Sequence, residues 1–362
     1  MTVSLSRRAD LFGDRTAVIE TSENARYSYA ELDALAERLA RKLAGLGVER
    51  GDRIALLSRN RIEVLACVFS TRRLGCALAP LSPYRSKSEI ADLVSRIDPH
   101  TVLHEEAQSD RLRKVRETMS FGELSDTDPA EYEPAGTIMA DPWLLIHSAE
   151  DDPSIYVLSV DAVERNCIAG TVTCGLSGAR TANLISLFRA DGLLVGTLPT
   201  LYAGGTLLLH RAFRPDSALA MIERHDATHV YGTPVELDRL SEAKEFETAN
   251  FASVEAIYSS APLSPELHDA YLVGGQPVGR LFGTPAAPHS LAFLPDREDV
   301  VEKGDSVGRP VPDCEARVSE GQLEARGPVV ADGTLDEEFD GWVETGLRAR
   351  RDDEGDYWIE ET

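Results

Sequence analysis

The chain has 362 residues, of which 43% are hydrophobic and 27% are charged. These fractions are typical of globular proteins and exclude disordered and collagen-like classes. Acidic residues outnumber basic ones by 61 to 37, and the resulting formal net charge of −24 disfavours nucleic-acid binding, which needs a cationic surface. No apolar run is long enough to span a membrane, and residues 1–10 lack the apolar segment of a secretory signal.

The basic residues are mostly arginines, with lysine only at Lys42, Lys87, Lys114, Lys244 and Lys303. An acidic surface with few lysines resembles the cytosolic proteins of salt-loving microbes, in which concentrated counterions screen the repulsion between like charges. An ordinary acidic protein is the alternative. The basic cluster at 111–116 is predicted to be a solvated helix face.

The five cysteines are scattered along the chain and never occur as C-x-x-C. This spacing argues against a disulfide framework and against structural zinc, and it predicts a reducing, cytoplasmic environment. His225 and His229 stand four residues apart but flank a predicted turn, so a shared metal is not expected.

Capping signals mark helix starts in the first hundred residues. Ser28 with Glu31, and Ser86 with Glu89, each form the S-x-x-E pattern of a capping box that precedes apolar residues at helical spacing. Asn60 is predicted to cap a further helix between these two.

Apolar runs predict strands at 54–57, 77–81, 101–103, 143–146, 183–188, 206–209, 229–231, 254–258 and 278–282. Helices are predicted between several of them, for example at 215–224 and 234–243. Strands separated by single helices predict parallel sheets that are covered on both faces. We therefore expect an α/β protein with two helix-covered, mainly parallel sheets in 1–141 and 142–284. Short β-like runs and turns predict a small β-rich subdomain in 285–362.

Ten short segments carry a family pattern in collinear order. They are FGDRTA (12–17), YSYAEL (27–32), GVERGDRIA (47–55), RLGCALAPL (73–81), LYAGGT (201–206), YGTP (231–234), SAPLS (260–264), GRPVP (308–312), GWVETG (341–346) and DEGDY (353–357). Together they resemble the adenylate-forming, or AMP-binding, superfamily of acyl- and aryl-CoA synthetases. The resemblance spans the chain and implies the fold of the large N-terminal domain of those enzymes.

The phosphate loop of that family reads roughly T-S-G-T-T-G-x-P-K-G, where glycines, hydroxyls and a lysine receive the triphosphate. The corresponding segment here is IHSAEDDPSI at 146–155, with three consecutive acids and neither glycine nor lysine. Ser148 alone resembles the family's hydroxyls. The resemblance therefore implies weakened ATP binding.

Two other nucleotide motifs also differ from the family. The Y-G-x-T-E motif is represented by Phe282, Gly283 and Thr284, while Ala286 replaces the metal-binding glutamate. In T-G-D, Leu347 replaces the aspartate that bonds the ribose. The resemblance leaves a nucleotide-binding remnant of Ser148, Ser260, Ala261, Pro262, Phe282, Gly283, Thr284 and Thr345, with no metal ligand and no catalytic residue.

By the same resemblance, an acyl or aryl pocket would involve Arg189, Gly192, Tyr231, Gly232 and Pro234. Arg189 stands where family members often have a histidine. It would either bind a ligand carboxylate or, alternatively, pair with nearby Asp191 or lie at the surface.

The resemblance implies two possible functions. The first is a non-catalytic ligand- or partner-binding module that needs no cofactor, because the phosphate-loop, metal and ribose residues are replaced together. The second is a carboxylate–CoA ligase that uses ATP, Mg²⁺ and CoA. The chain stops at Thr362, before the hinge to the family's C-terminal domain with its catalytic lysine, so this ligase would need that domain from a separate chain. Expected partners are such a domain or an active synthetase, and a carboxylate-type small molecule; nucleic acid and membrane are not expected.

Overall fold

The computed structural model of the chain describes residues 4–134, 136, 138–150, 152–273, 275, 277–294, 303 and 305–360. It has an α/β architecture in which the parallel strands of two sheets are connected through helices, as the sequence predicts.

The smaller sheet has a parallel centre with an antiparallel edge. In spatial order its strands are Gly333–Thr334, Ile155–Ser159, Pro142–His147, Ala77–Leu81, Arg53–Leu57, Thr101–His104 and Thr118–Ser120. The centre is parallel from Pro142–His147 to Thr118–Ser120. Its strands are almost fully buried, which explains their continuous apolar runs in the sequence.

The larger sheet joins a parallel centre to a long antiparallel extension. In spatial order its strands are Glu315–Ser319, Gln322–Arg326, Val343–Arg351, Tyr357–Ile359, Ser306–Pro310, Ala287–Phe293, Val278–Thr284, Ala256–Ser259, His229–Gly232, Arg180–Asn183, Thr206–Leu209, Thr16–Glu20 and Ala25–Ser28. Pairing is parallel from Val278–Thr284 to Thr16–Glu20 and antiparallel elsewhere.

Helices cover the faces of the two sheets. The α-helices in the described residues are Leu5–Phe12, Tyr29–Gly45, Ile62–Leu74, Lys87–Ile97, Phe121–Asp126, Val160–Cys174, Leu198–Tyr202, Pro215–Arg224, Pro234–Ser241 and Pro265–Val273. Short 3₁₀ turns occur at Glu106–Arg111 and Phe246–Thr248, and a π-helical turn occurs at Asp191–Val195.

The main core lies where helices meet both sheets. Helix Ile62–Leu74 is buried on nearly every side, and it packs in one apolar cluster with residues of both sheets, including Trp143 and Leu207. The indole nitrogen of Trp143 donates a hydrogen bond of 2.9 Å to the carbonyl oxygen of Val68 in this helix. This hydrogen bond offsets the cost of burying the indole N–H of the largest side chain in the core.

The predicted boundary near residue 141 does not separate the two sheets, because each sheet contains strands from both sides of it. Strands Pro142–His147 and Ile155–Ser159 complete the smaller sheet, whereas Thr16–Glu20 pairs with Thr206–Leu209 in the larger one. Most strands after residue 285 extend the larger sheet, and Gly333–Thr334 joins the edge of the smaller one, so the segment forms no sheet of its own within the described residues. A sequence pattern locates strands but does not specify their partners, because any strand offers the same backbone donors and acceptors.

Both predicted capping boxes are present. The Ser28 hydroxyl accepts a hydrogen bond from the Glu31 amide and the Glu31 carboxylate accepts one from the Ser28 amide, and Ser86 and Glu89 repeat the arrangement. The prediction for Asn60 is wrong, because helix Ile62–Leu74 starts without a side-chain cap. The Asn60 side chain instead bonds the backbone of the 185–187 segment, a long-range contact that local spacing does not reveal.

Two other sequence predictions are corrected. The strand expected at 183–188 lies earlier, at Arg180–Asn183, because the side-chain oxygen of Asn183 accepts a hydrogen bond from the Ile185 amide and turns the chain away from the sheet. The basic cluster at 111–116 lies mostly in a turn after the 3₁₀ segment Glu106–Arg111, so it forms no helix face.

Candidate functional site

A cavity of about 560 Å³ opens where the ends of strands from both sheets come together. One wall is formed by residues that come after strand Ala77–Leu81 in the chain, and another by residues at the end of strand Pro142–His147. Residues 188–191, which lead into the π-helical turn, and the turn after Val278–Thr284 complete the lining. Its lining residues are Ser82, Tyr84, Arg85, Glu89, His147, Ser148, Ala149, Glu150, Phe188, Arg189, Ala190, Asp191, Gly283, Thr284, Pro285 and Pro288. Crevices at the carboxyl ends of parallel strands are the usual ligand sites of α/β proteins.

The loop that corresponds to the phosphate loop is closed by its own hydrogen bonds. The Ser148 amide donates to the Ser154 carbonyl oxygen at 2.9 Å, and the Ser154 amide donates to the Ser148 hydroxyl at 3.0 Å. Ser148 is only 3% exposed. The hydroxyl that the sequence identifies as a nucleotide-binding remnant therefore holds the loop together, and Asp151 lies outside the described residues.

Arg85 braces this loop from a neighbouring strand end. Its Nη2 donates to the carbonyl oxygens of Ser148 and Glu150, each at 2.9 Å, and its Nη1 lies 2.9 Å from Glu89 Oε1. The Arg85 side chain is only 10% exposed. The loop thus turns two carbonyl oxygens towards a buried cation, whereas a phosphate cradle directs amides towards an anion.

His147 joins the two strand ends below the cavity. Its Nε2 accepts a hydrogen bond of 3.3 Å from the Ser82 amide, and its Nδ1 lies 2.9 Å from the Ser148 carbonyl oxygen, to which it donates in this tautomer. Burial lowers the pKa of His147, although the bond to Ser148 opposes the shift. The neutral imidazole makes a hydrogen bond through each ring nitrogen and so connects the two strand ends.

Arg189 is already paired with a carboxylate. Its Nε and Nη2 lie 2.9 and 2.7 Å from the two carboxylate oxygens of Asp191, which is the alternative that the sequence left open. Asp191 Oδ1 also accepts a hydrogen bond from the Gly192 amide. A Cβ on Gly192 would lie 2.3 Å from the Ser186 carbonyl oxygen, so this glycine allows two backbone segments to meet.

The other predicted pocket residues are not among those that line the cavity. Tyr231 is 2% exposed, and its hydroxyl donates to the Leu281 carbonyl oxygen at 3.4 Å. Gly232 is buried at the end of its strand, and Pro234 occupies the first turn of helix Pro234–Ser241. The Ser260 amide donates to the Gly232 carbonyl oxygen, which places 260–262 beside this strand end.

Phe282, from the Y-G-x-T-E position, and Leu347, from the T-G-D position, pack in one apolar cluster. Phe282 is 5% exposed and packs with Leu323 and Tyr357, and Leu347 lies against the same group. The Thr345 hydroxyl donates to the Leu323 carbonyl oxygen at 2.8 Å. The leucine at the aspartate position thus supports the packing around Phe282.

Gly283 and Thr284 reach the cavity at a tight hairpin. A Cβ on Gly283 would lie 2.1 Å from the Pro288 carbonyl oxygen, so the hairpin requires glycine. The Thr284 hydroxyl is buried and has no hydrogen-bond partner among the described residues. Ala286, at the position of the family's metal-binding glutamate, is 1% exposed.

The structure brings only part of the predicted site together. Four of the predicted residues, Ser148, Arg189, Gly283 and Thr284, line the cavity. The other predicted residues, Gly192, Tyr231, Gly232, Pro234, Ser260, Ala261, Pro262, Phe282 and Thr345, are not among its lining residues.

Sequence reasoning missed several lining residues, including Tyr84, Arg85, His147 and Phe188. Tyr84 and Arg85 come directly after the predicted strand 77–81, and His147 after 143–146. Their position at the carboxyl ends of parallel strands was the available signal.

The sequence contains a match to the AMP-binding enzyme family over residues 5–154 and 157–334. The chain therefore belongs to this family, as its motifs predict. Within the described residues, no group of three or more His, Cys, Asp or Glu side chains could hold a metal ion. No helix in the described part of the chain has the length and apolarity to cross a membrane.

Two curated relatives illustrate the similarity. The chain is 29% identical to a feruloyl-CoA synthase from an Amycolatopsis species over 98% of this chain and 76% of the relative. It is 26% identical to an indoleacetate–CoA ligase from Aromatoleum aromaticum over 98% of this chain and 77% of the relative.

Solved structures share the fold at low sequence identity. The N-terminal domain of FACL13 from Mycobacterium tuberculosis superposes with a TM-score of 0.93 at 20% identity, covering 99% of both chains. The o-succinylbenzoate CoA synthetase of Bacillus subtilis, in complex with an acyl-adenylate intermediate, gives 0.91 at 22% identity and covers 100% of this chain and 99% of that one. The predicted fold of the large synthetase domain is confirmed.

Proposed function

We propose that this protein is a non-catalytic member of the AMP-binding enzyme family that binds a small molecule or a partner protein and uses no nucleotide cofactor. The main observation in support is that hydrogen bonds between Ser148 and Ser154 close the loop at 146–155. Its serine hydroxyl accepts a bond from within the loop, and its carbonyl oxygens at Ser148 and Glu150 face Arg85.

The electrostatics of the loop support the same proposal. Glu150 and Asp152 are exposed acids on this loop, and Asp151 stands between them in the sequence. Carboxylates beside a triphosphate repel it, and high salt weakens that repulsion without supplying the missing donors. Bound Mg²⁺ can bridge acids and phosphates, but the family's metal-binding glutamate is replaced by the buried Ala286.

The ribose position adds an independent argument. Leu347 packs against the cluster around Phe282, and its aliphatic side chain cannot accept hydrogen bonds from ribose hydroxyls. Losing a charged hydrogen bond costs about 1.5–3 kcal/mol. The phosphate loop, the metal-binding position and the ribose-binding position have therefore all changed. This combination favours a loss of nucleotide binding over a change of substrate.

The alternative is an active carboxylate–CoA ligase that receives its C-terminal domain from a separate chain and uses ATP, Mg²⁺ and CoA. Its support is the similarity to feruloyl-CoA synthase and indoleacetate–CoA ligase over nearly the whole chain. This ligase would still bind ATP on the present chain, so ATP affinity separates the two functions.

The test is titration with ATP and Mg²⁺ in several molar potassium chloride. We expect no thermal shift and no pyrophosphate release with a panel of carboxylates that includes ferulate and indole-3-acetate. An active family member, assayed in its own buffer, provides the positive control. Micromolar ATP affinity by calorimetry would overturn the proposal and favour the ligase.

A double variant, Asp151→Gly with Ser154→Lys, restores two family residue types at positions chosen by approximate alignment. We expect ATP binding to stay absent, because Ala286 and Leu347 remain. Recovery of ATP binding would show that the loop alone excludes the nucleotide.

A further inference from the structure

The cavity has more negative than positive charge in its lining. Its charged side chains are Arg85 and Arg189 against Glu89, Glu150 and Asp191. Each arginine is paired with a carboxylate, Arg85 with Glu89 at 2.9 Å and Arg189 with Asp191 at 2.7 Å. Glu150 is exposed and makes no ion pair within the described part of the chain. The formal charge of the lining is therefore −1, and Glu150 is its acid without an ion-pair partner among the described residues.

The remaining polar groups of the lining do not supply a positive charge. Burial lowers the pKa of His147, which keeps its imidazole neutral at neutral pH, and both of its ring nitrogens already have partners. Arg85 directs its Nη2 at the loop carbonyls of Ser148 and Glu150. For a carboxylate ligand, the charge of each lining arginine is already balanced by a protein carboxylate.

An aromatic pair provides the apolar part of the lining. The ring centroids of Tyr84 and Phe188 lie 6.0 Å apart, with their planes tilted by 59°. Tyr84 is 60% exposed, so its ring is open to contact. Aromatic rings stack on flat ligands and attract cations to their faces. The cavity volume of about 560 Å³ is in the range of sites for small molecules.

We propose that this cavity binds an aromatic amine, with the ring against Tyr84 and Phe188 and the protonated amino group near Glu150. The inference rests on the proposed non-catalytic function, and it specifies that the small molecule bound by the protein is positively charged. It differs from the carboxylate that membership of the family suggests, because the arginines that could receive a carboxylate are paired within the protein.

The experiment compares ligands that share a ring and differ in charge. Calorimetric titrations with tryptamine, indole-3-acetamide and indole-3-acetate are performed at one salt concentration that keeps the protein folded. A second pair, tyramine and 4-hydroxyphenylacetate, repeats the comparison on a smaller ring. We expect each amine to bind about tenfold more tightly than its matched carboxylate, with the amide between them.

Two variants test whether the preference for amines over carboxylates depends on Asp191 and Glu150. Asp191→Asn keeps an oxygen for the Gly192 amide and removes the partner charge of Arg189, so the affinity for indole-3-acetate should rise and that for tryptamine should fall. Glu150→Gln should weaken tryptamine binding about threefold. The control, Glu247→Gln, changes an exposed acid outside the cavity lining and should leave both affinities unchanged.

Equal or tighter binding of the carboxylates by the unmodified protein, or no binding of any of these ligands, would overturn this inference. Neither result touches the proposed non-catalytic function, which is decided separately by ATP affinity. ATP binding together with a preference for the carboxylates would overturn both.

Discussion

A buried histidine contributes to the way in which this protein responds to acid. His289 is fully buried, and neither ring nitrogen has a hydrogen-bond partner among the described residues. Burial lowers its pKa to about 4, below the ordinary value of 6.5. The unfolded chain therefore binds this proton at a higher pH than the folded chain does, so the stability that a neutral His289 maintains is lost as pH falls from 6.5 towards 4.

We predict that His289→Leu reduces this acid sensitivity. At pH 4 the wild-type protein should have lost on the order of 3 kcal/mol through this group, because each unit of pKa difference corresponds to about 1.4 kcal/mol. Denaturant unfolding of both proteins between pH 4 and 7, at constant salt, measures the difference. Parallel stability curves across this range would contradict the prediction, since all other histidines are shared.

Arg85 and Arg96 both contact the loop at 146–155, but from different environments. Arg85 is nearly buried and holds two loop carbonyls, whereas Arg96 lies 3.3 Å from Asp152, whose side chain is 99% exposed. A buried charged hydrogen bond stabilises far more than an exposed ion pair does.

We predict that Arg85→Gln lowers the free energy of unfolding by about 2 kcal/mol and that Arg96→Gln has little effect. Thermal or denaturant unfolding in one buffer compares the two. ATP binding should not appear in Arg85→Gln, because the loop still lacks glycine and lysine. Similar losses in both variants would show that Arg85 does not brace the loop.

At the scale of elements, close packing overrides local helix preference. In helix Val160–Cys174, a Cβ on Gly170 would lie 2.9 Å from Cβ of Pro199, in the neighbouring helix Leu198–Tyr202. Two positions further on, Val172 is 65% exposed. Within one turn of the helix, position 170 is therefore crowded by a neighbouring helix and position 172 is open to solvent.

We predict opposite effects for Gly170→Ala and Val172→Ala. Alanine favours helix by about 1 kcal/mol over glycine and by about 0.6 kcal/mol over valine. Gly170→Ala should nevertheless destabilise the protein by about 1–2 kcal/mol through overpacking, whereas Val172→Ala should stabilise it slightly. Denaturant midpoints measure both. Stabilisation by Gly170→Ala would mean that the two helices separate easily.

At the scale of the whole molecule, the surface charge is the dominant feature. The formal net charge is −24, and lysine is rare among the basic residues. Many arginines are held in ion pairs or against aromatic rings; Arg317 and Arg326, for example, both lie over the ring of Trp342. The excess of carboxylates repels itself unless salt screens it.

We predict that potassium chloride stabilises the protein strongly. Raising the salt from about 0.3 M to about 3 M should increase the melting temperature by more than about 10 °C, because the screening length falls below the spacing of surface charges. Scanning calorimetry in potassium chloride measures this, with sucrose as an uncharged control. A flat or falling melting temperature would identify an ordinary acidic protein instead of a halophilic one.

The sequence by itself determined the family, the α/β class, the capping boxes and the changed nucleotide motifs, since each depends on residues that are neighbours in the chain. It also raised the pairing of Arg189 with Asp191 as one alternative. Only the tertiary structure decided that Arg85, 63 residues before Ser148, braces the loop and that Phe282 faces an apolar cluster. Those outcomes depend on contacts between distant segments, and a local pattern does not specify which segments meet.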